Sequence, residues 1–167
     1  MLDLEDKNCC ICQEYRNTQA ECIDNYSIEE KGKKVQLKPK NNTEKSIVMI
    51  IDQCLITDNN TKCDALFLFQ SSSKKVSFLT ELKGAGDIPK AFRQLAYTSK
   101  KRAEYREVIQ KFIDIDKKFV REKFVIISNG FLDKSEKERL EREHNIRITA
   151  ILHSEAVTPI PNLREYI

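Results

Sequence analysis

Long apolar runs are missing from this sequence: the two longest, Ile47-Val48-Met49-Ile50-Ile51 and Ala65-Leu66-Phe67-Leu68-Phe69, have five residues each, far short of the roughly 20 that cross a bilayer. No membrane span is expected. The opening residues, Met1-Leu2-Asp3-Leu4-Glu5-Asp6-Lys7, lack the apolar stretch of a secretory leader, so the chain reads as cytoplasmic. An excess of one charge sign is missing too, since 29 Lys+Arg face 26 Asp+Glu for a formal net charge of +3. Such a sum does not announce a nucleic-acid binder; only local clustering of the basic residues does so, because phosphates respond to the surface field. There is no internal repeat and no low-complexity segment. A second C-x-x-C or an H-x-x-H is absent, and His144 and His153 stand without partners at ligand spacing.

What is there amounts to one domain. The 167 residues, 40% hydrophobic and 33% charged, suffice for a single sizeable core and leave no room for two independent ones. Six cysteines in a reducing compartment are expected as thiols or metal ligands. Cys9-x-x-Cys12 with Cys22 downstream has a spacing compatible with tetrahedral zinc, and Cys54 and Cys63 suit small core positions.

Residues 1–34 are polar and weakly periodic, a cysteine-bearing lead segment; from residue 35 to 167 the pattern is that of a single α/β domain. Ile47–Ile56 reads as a strand on its Ile/Val density, and Thr57-Asp58-Asn59-Asn60-Thr61 as the turn that folds it back on Lys62–Phe69. In the third strand, Lys75–Lys83, Val76, Phe78, Thr80 and Leu82 share one face while Ser77, Leu79, Glu81 and Lys83 share the other. After Gly84-Ala85-Gly86, Asp87 and Pro89 mark a helix start, and Ile88, Ala91, Phe92, Leu95 and Ala96 form its apolar stripe. A second helix over about 101–119, a buried strand 123–128, a charged helix 135–144 and a strand 146–152 follow, and the tail Thr158-Pro159-Ile160-Pro161 reads as extended and peripheral. The fold class is therefore α/β: a mixed sheet with an antiparallel meander followed by α-β-α-β, helices flanking the sheet.

Chemistry concentrates in Asp64 at the start of one strand, Glu81-Leu82-Lys83 at the end of the next, and the glycine break into a helix. Two carboxylates on adjacent strands suit a hard divalent cation, and Lys83, two residues along from Glu81, suits orientation of a water or stabilisation of charge on a phosphate. The plainer reading of the same residues is an exposed ion pair worth under about 1 kcal/mol. Two further copies of the acid-x-Lys spacing, Glu29-Glu30-Lys31 and Asp116-Lys117-Lys118, are expected away from strand ends.

These residues resemble the PD-(D/E)XK nuclease superfamily, with the restriction-endonuclease-like fold, over roughly residues 47–130. The resemblance implies Asp64, Glu81 and the main-chain carbonyl of Leu82 as ligands of Mg²⁺ or Mn²⁺, Lys83 as catalytic lysine and Gln94 on the following helix as an auxiliary polar residue. Cys63 stands where the motif's name has proline. For the acid that many members supply from upstream, Glu44 and Asp52 are both candidates. The implied function is metal-dependent hydrolysis of phosphodiesters, DNA being the expected partner; the rival is a nuclease-like module that binds nucleic acid or protein without cutting. Lys90, Arg93, Lys100, Lys101, Arg102 and Arg106 on the helices after the site are candidate phosphate contacts. One active site cuts one strand, so double-strand cleavage requires a homodimer, a larger assembly or paired binding events, and the sequence does not choose among them.

Overall fold

The computed structural model describes residues 5–13 and 19–167; the leader reading of Met1–Leu4 lies outside them. Among the described residues eight strands and three α-helices run in the order β1 (Cys22–Asp24), β2 (Ser27–Glu30), β3 (Lys33–Gln36), β4 (Lys45–Ile50), β5 (Ala65–Gln70), β6 (Lys75–Lys83), α1 (Ile88–Lys101), α2 (Ala103–Asp114), β7 (Arg121–Ser128), α3 (Lys134–His144) and β8 (Ala150–His153). Strands β4 to β8 form one open mixed sheet in sequence order. The pairs β4/β5 and β5/β6 are antiparallel, β6/β7 and β7/β8 parallel: the loop 51–64 and the short turn 71–74 fold the chain back on itself, while helical crossovers return it in the same direction.

The five-residue apolar run Ala65–Phe69 becomes the second strand of this sheet, and all five side chains are at most 2% exposed. A strand covered on both faces has no polar side, which is why its sequence does not alternate. One face carries Met49, Leu66, Leu68, Leu79 and Ile126 against the apolar stripes of α1 and α2; the other carries Val48, Phe67, Phe78 and Val125 against Ile28 and Val35 of the small antiparallel sheet β1-β2-β3 and Leu37 just after it. The molecule is a three-layer stack of helices, large sheet and small sheet. No helix among the described residues is long and apolar enough to cross a membrane.

Several expectations change. The strand expected over 47–56 stops at Ile50, and 51–56 coils into a turn in which Gln53 has φ 60°. The boundary expected at residue 34 falls inside β3, so part of the lead segment is a layer of the fold. Ile11 bridges Met49 and the Cys12 N–H donates to the Val48 carbonyl at 2.8 Å, which covers the open edge of β4. The tail is pinned as well: the Gln36 N–H donates to Pro161 O, and Leu163 is fully buried.

Candidate active site

The β5/β6 ladder ends at the pair Ala65↔Thr80, but β6 continues through Glu81, Leu82 and Lys83, bonded there only to β7. A notch is left in the sheet. Asp64, the residue just before β5, fills it. Its N–H donates to Glu81 Oε2 at 3.2 Å, and the Leu82 N–H donates to Asp64 Oδ2 at 2.6 Å, so each carboxylate is held by the other strand's backbone. Lys83 Nζ lies 2.7 Å from Glu81 Oε1. That oxygen is buried and has this ion pair but no hydrogen bond of acceptable geometry.

A fourth group belongs to the cluster. Glu30 ends β2, and Lys31 and Gly32, with φ of 48° and 78°, turn the chain into β3. Two successive positive φ values make the tight hairpin that brings Glu30 over the sheet. Its charge acts on Asp64, Glu81 and Lys83 alike. Of the two other acid-x-Lys copies, the one at 29–31 does lie at a strand end, and its middle residue, Glu30, not its leading acid, reaches the cluster. Neither upstream candidate does: Glu44 is held by both guanidinium nitrogens of Arg164 at 2.6 and 2.5 Å, and Asp52 lies 3.4 Å from Lys62 Nζ in the turn after β4.

Burial pushes the Glu81 carboxyl up from 4.5 to about 7 despite the attraction of Lys83. Asp64 is pushed well above its ordinary value by burial and then by repulsion from Glu81 and Glu30, with the Leu82 N–H opposing. Burial lowers the Lys83 pKa, but the attraction of Glu81, Asp64 and Glu30 outweighs it and holds the ammonium above its ordinary value. Asp64 and Glu81 thus share one close cation, Lys83, while Glu30, whose Oε1 lies 3.9 Å from the exposed Lys31 ammonium, adds a third negative charge; such an arrangement either takes up protons or takes up a further positive charge.

Gln94, on α1, donates from Nε2 to the Lys62 carbonyl at 2.9 Å. It braces the segment entering Asp64 instead of reaching the acids. The expected basic stripe is largely committed elsewhere. Arg102 is 7% exposed and bonds Asp58 and Glu104, Arg106 bonds Ser99 O and Glu122, Lys100 Nζ donates to the carbonyls of His144 and Asn145 at the end of α3, and Lys90 pairs with Asp87 at 3.0 Å. Arg102 and Lys100 are therefore structural. Arg93 and Lys101 are exposed and enter none of the ion pairs among the described residues.

The cysteine expectation is corrected. Cys12 and Cys22 are joined in a disulfide, as are Cys10 and Cys54, so Cys9, Cys12 and Cys22 do not converge as three thiolates. Cys63 is fully buried beneath α1, its thiol pushed up by burial and by the nearby Glu81 charge.

No family model, curated protein or solved structure matches this chain. The class the geometry defines is an open mixed α/β sheet with an acid cluster around the buried Glu81 and a lysine at the carboxyl end of a strand.

Proposed function

We propose that the chain is a metal-dependent nuclease of the PD-(D/E)XK kind, hydrolysing phosphodiester bonds with DNA as the expected substrate. The observation that carries this reading is Glu81: a fully buried carboxylate with one oxygen outside any good hydrogen bond, next to Asp64 and Glu30 and balanced by one ammonium. That donor set fits Mg²⁺ or Mn²⁺, which take oxygen ligands and often use only one or two carboxylates plus waters. Asp64, Glu81 and the Leu82 carbonyl would hold the ion, with Glu30 adding charge. Bound there, the ion supplies Lewis-acid stabilisation and an activated water.

The chain's own residues do the rest. Lys83, kept cationic, faces charge that develops on a phosphate, and its ion pair with Glu81 fixes where the ammonium sits. Gln94 positions Asp64 through the Lys62 carbonyl. Arg93 and Lys101 remain for sequence-independent phosphate contact. The second reading, a non-cutting nuclease-like module, draws on the same 2.7 Å Lys83–Glu81 pair, which neutralises Glu81 without a metal.

The test is incubation with linear, circular, nicked and branched DNA in Mg²⁺, Mn²⁺ and EDTA. Metal-dependent cleavage abolished by Glu81→Ala and by Lys83→Ala, with folding retained, is the expected result. Cleavage by both variants at the parental rate removes the assignment. No cleavage, together with no Mg²⁺ or Mn²⁺ binding by calorimetry with and without DNA, selects the non-cutting module.

A further inference from the structure

Away from the acid cluster, three metal-ligating side chains lie close together. The sulfurs of Cys9, Cys10 and Cys54 all lie within 4.8 Å of one another, the only such triple of His, Cys, Asp or Glu ligand atoms among the described residues. Cys10 and Cys54 are bonded to each other, and Cys9 lies beside them outside both disulfides. The three sulfurs come from two places far apart in sequence: the end of the short 3-10 turn Glu5–Cys10, and the turn that follows β4. Between them, Ile11 bridges Met49 on the open edge of β4. The cluster is the clasp that fastens the N-terminal strip to the sheet.

We infer that these three sulfurs form a redox-gated thiolate metal site: oxidised, the clasp is the Cys10–Cys54 disulfide; reduced, Cys9, Cys10 and Cys54 bind one soft divalent ion of the Zn²⁺ class. A dithiol reductant supplies the two electrons and two protons that open the disulfide, and is itself closed to a disulfide. The three thiols then lose their protons to solvent as the ion binds. Tetrahedral sites with Zn–S bonds of about 2.3 Å place sulfurs roughly 3.8 Å apart, so after reduction the Cys10 and Cys54 sulfurs separate from bonding distance and the Cys9 sulfur, within 4.8 Å of both, joins them by small side-chain movements. Cys9 is exposed while Cys10 is 1% exposed, which gives the ion an entry from solvent and leaves water as the fourth ligand. Either state ties residues 9–10 to residue 54. The inference is independent of the nuclease reading, because it uses none of the residues of the acid cluster.

The experiment is a Co²⁺ titration of the full chain before and after anaerobic reduction, read as thiolate-to-cobalt charge-transfer absorption, with circular dichroism on each sample to follow folding. The expected result is no band in the oxidised chain, one equivalent of Co²⁺ bound after reduction, and bleaching of the band by Zn²⁺. Cys54→Ser abolishes the band, Cys9→Ser weakens binding about tenfold or more, and the double variant Cys12→Ser/Cys22→Ser keeps it. A reduced, folded chain that shows no band overturns the inference. So does a band that survives Cys9→Ser/Cys54→Ser or disappears with Cys12→Ser/Cys22→Ser. If the serine variants unfold, the oxidised and reduced parental protein decide the question between them.

Discussion

Glu81→Gln separates what the acid cluster costs the fold from what it does. The carboxyl's pKa rises on folding from 4.5 to about 7, so between those values the folded chain holds a proton that the unfolded chain has released. The stability linked to this proton is complete below about pH 4.5 and is lost as the pH rises through about 7. At 1.36 kcal/mol per pKa unit, the shift corresponds to about 3 kcal/mol of lost stability by pH 8. Asp64, raised by burial and by Glu81 and Glu30, adds a loss of the same sign. Glutamine keeps the shape and cannot ionise. Urea unfolding in EDTA without reductant, at pH 5 and pH 8, should show the parental protein markedly less stable at pH 8 and Glu81→Gln with a much smaller difference. With urea slopes of roughly 1–3 kcal/mol/M, the parental midpoint moves by about 1–3 M. Mg²⁺ or Mn²⁺ at 100 times its dissociation constant should return about 2.7 kcal/mol to the parent at pH 8 and little to Glu81→Gln. Equal stability of the parent at the two pH values, or an unchanged difference in Glu81→Gln, refutes the argument that burial charges a penalty to this carboxylate.

Three other outcomes follow from the same geometry. Gly130→Ala places a Cβ 2.5 Å from Ala85 Cα, and because that neighbour is backbone the turn after β6 must move; a loss of about 1–3 kcal/mol in chemical denaturation is expected, together with lower cleavage. Lys101→Ala should stay within about 0.5 kcal/mol of the parent yet lower the salt dependence of DNA binding by about one charge, whereas Arg102→Ala, which strips Asp58 and Glu104 of their shared partner, should lower the urea midpoint. The Arg164 guanidinium holds Glu44 at about 2 instead of 4.5, so this pair's stability is present above about pH 4.5 and is lost as the pH falls through about 2; an acid titration followed by circular dichroism should show Glu44→Gln with a shallower loss over that window.

The large sheet was legible because its signals are local. Asn145, at φ 48°, closes a helix that Asp133 opens by accepting from the Glu136 N–H at 2.8 Å, and the alternation along Lys75–Lys83 placed Glu81 and Lys83 on one face with Leu79. The pattern over 47–56 overstates the strand because apolar residues that end a strand and apolar residues that plug a turn have the same composition: Leu55 and Ile56 are buried although the backbone there is not extended. Glu30 is silent in the sequence for a different reason. Its hairpin is short and charged, and the one local sign of it is Gly32 between the lone apolar Ile28 and the alternating Val35 and Leu37, a pattern that becomes informative only when a sheet exists to receive Ile28 and Val35.

By itself the sequence determined the order and type of the main elements and the neighbourhood of Asp64, Glu81 and Lys83, because periodicity, turn residues and strand-end spacing act over a few positions. The tertiary structure alone decided which distant charges and sulfurs meet. It recruited Glu30 in place of Glu44 and Asp52, assigned Arg102 to Asp58 across 44 residues, and joined Cys10 to Cys54 in place of the expected thiols. Such partners are chosen by how the layers stack, and whether a Lys or Glu is a solvated surface group or a buried member of a site depends on what the fold places above it.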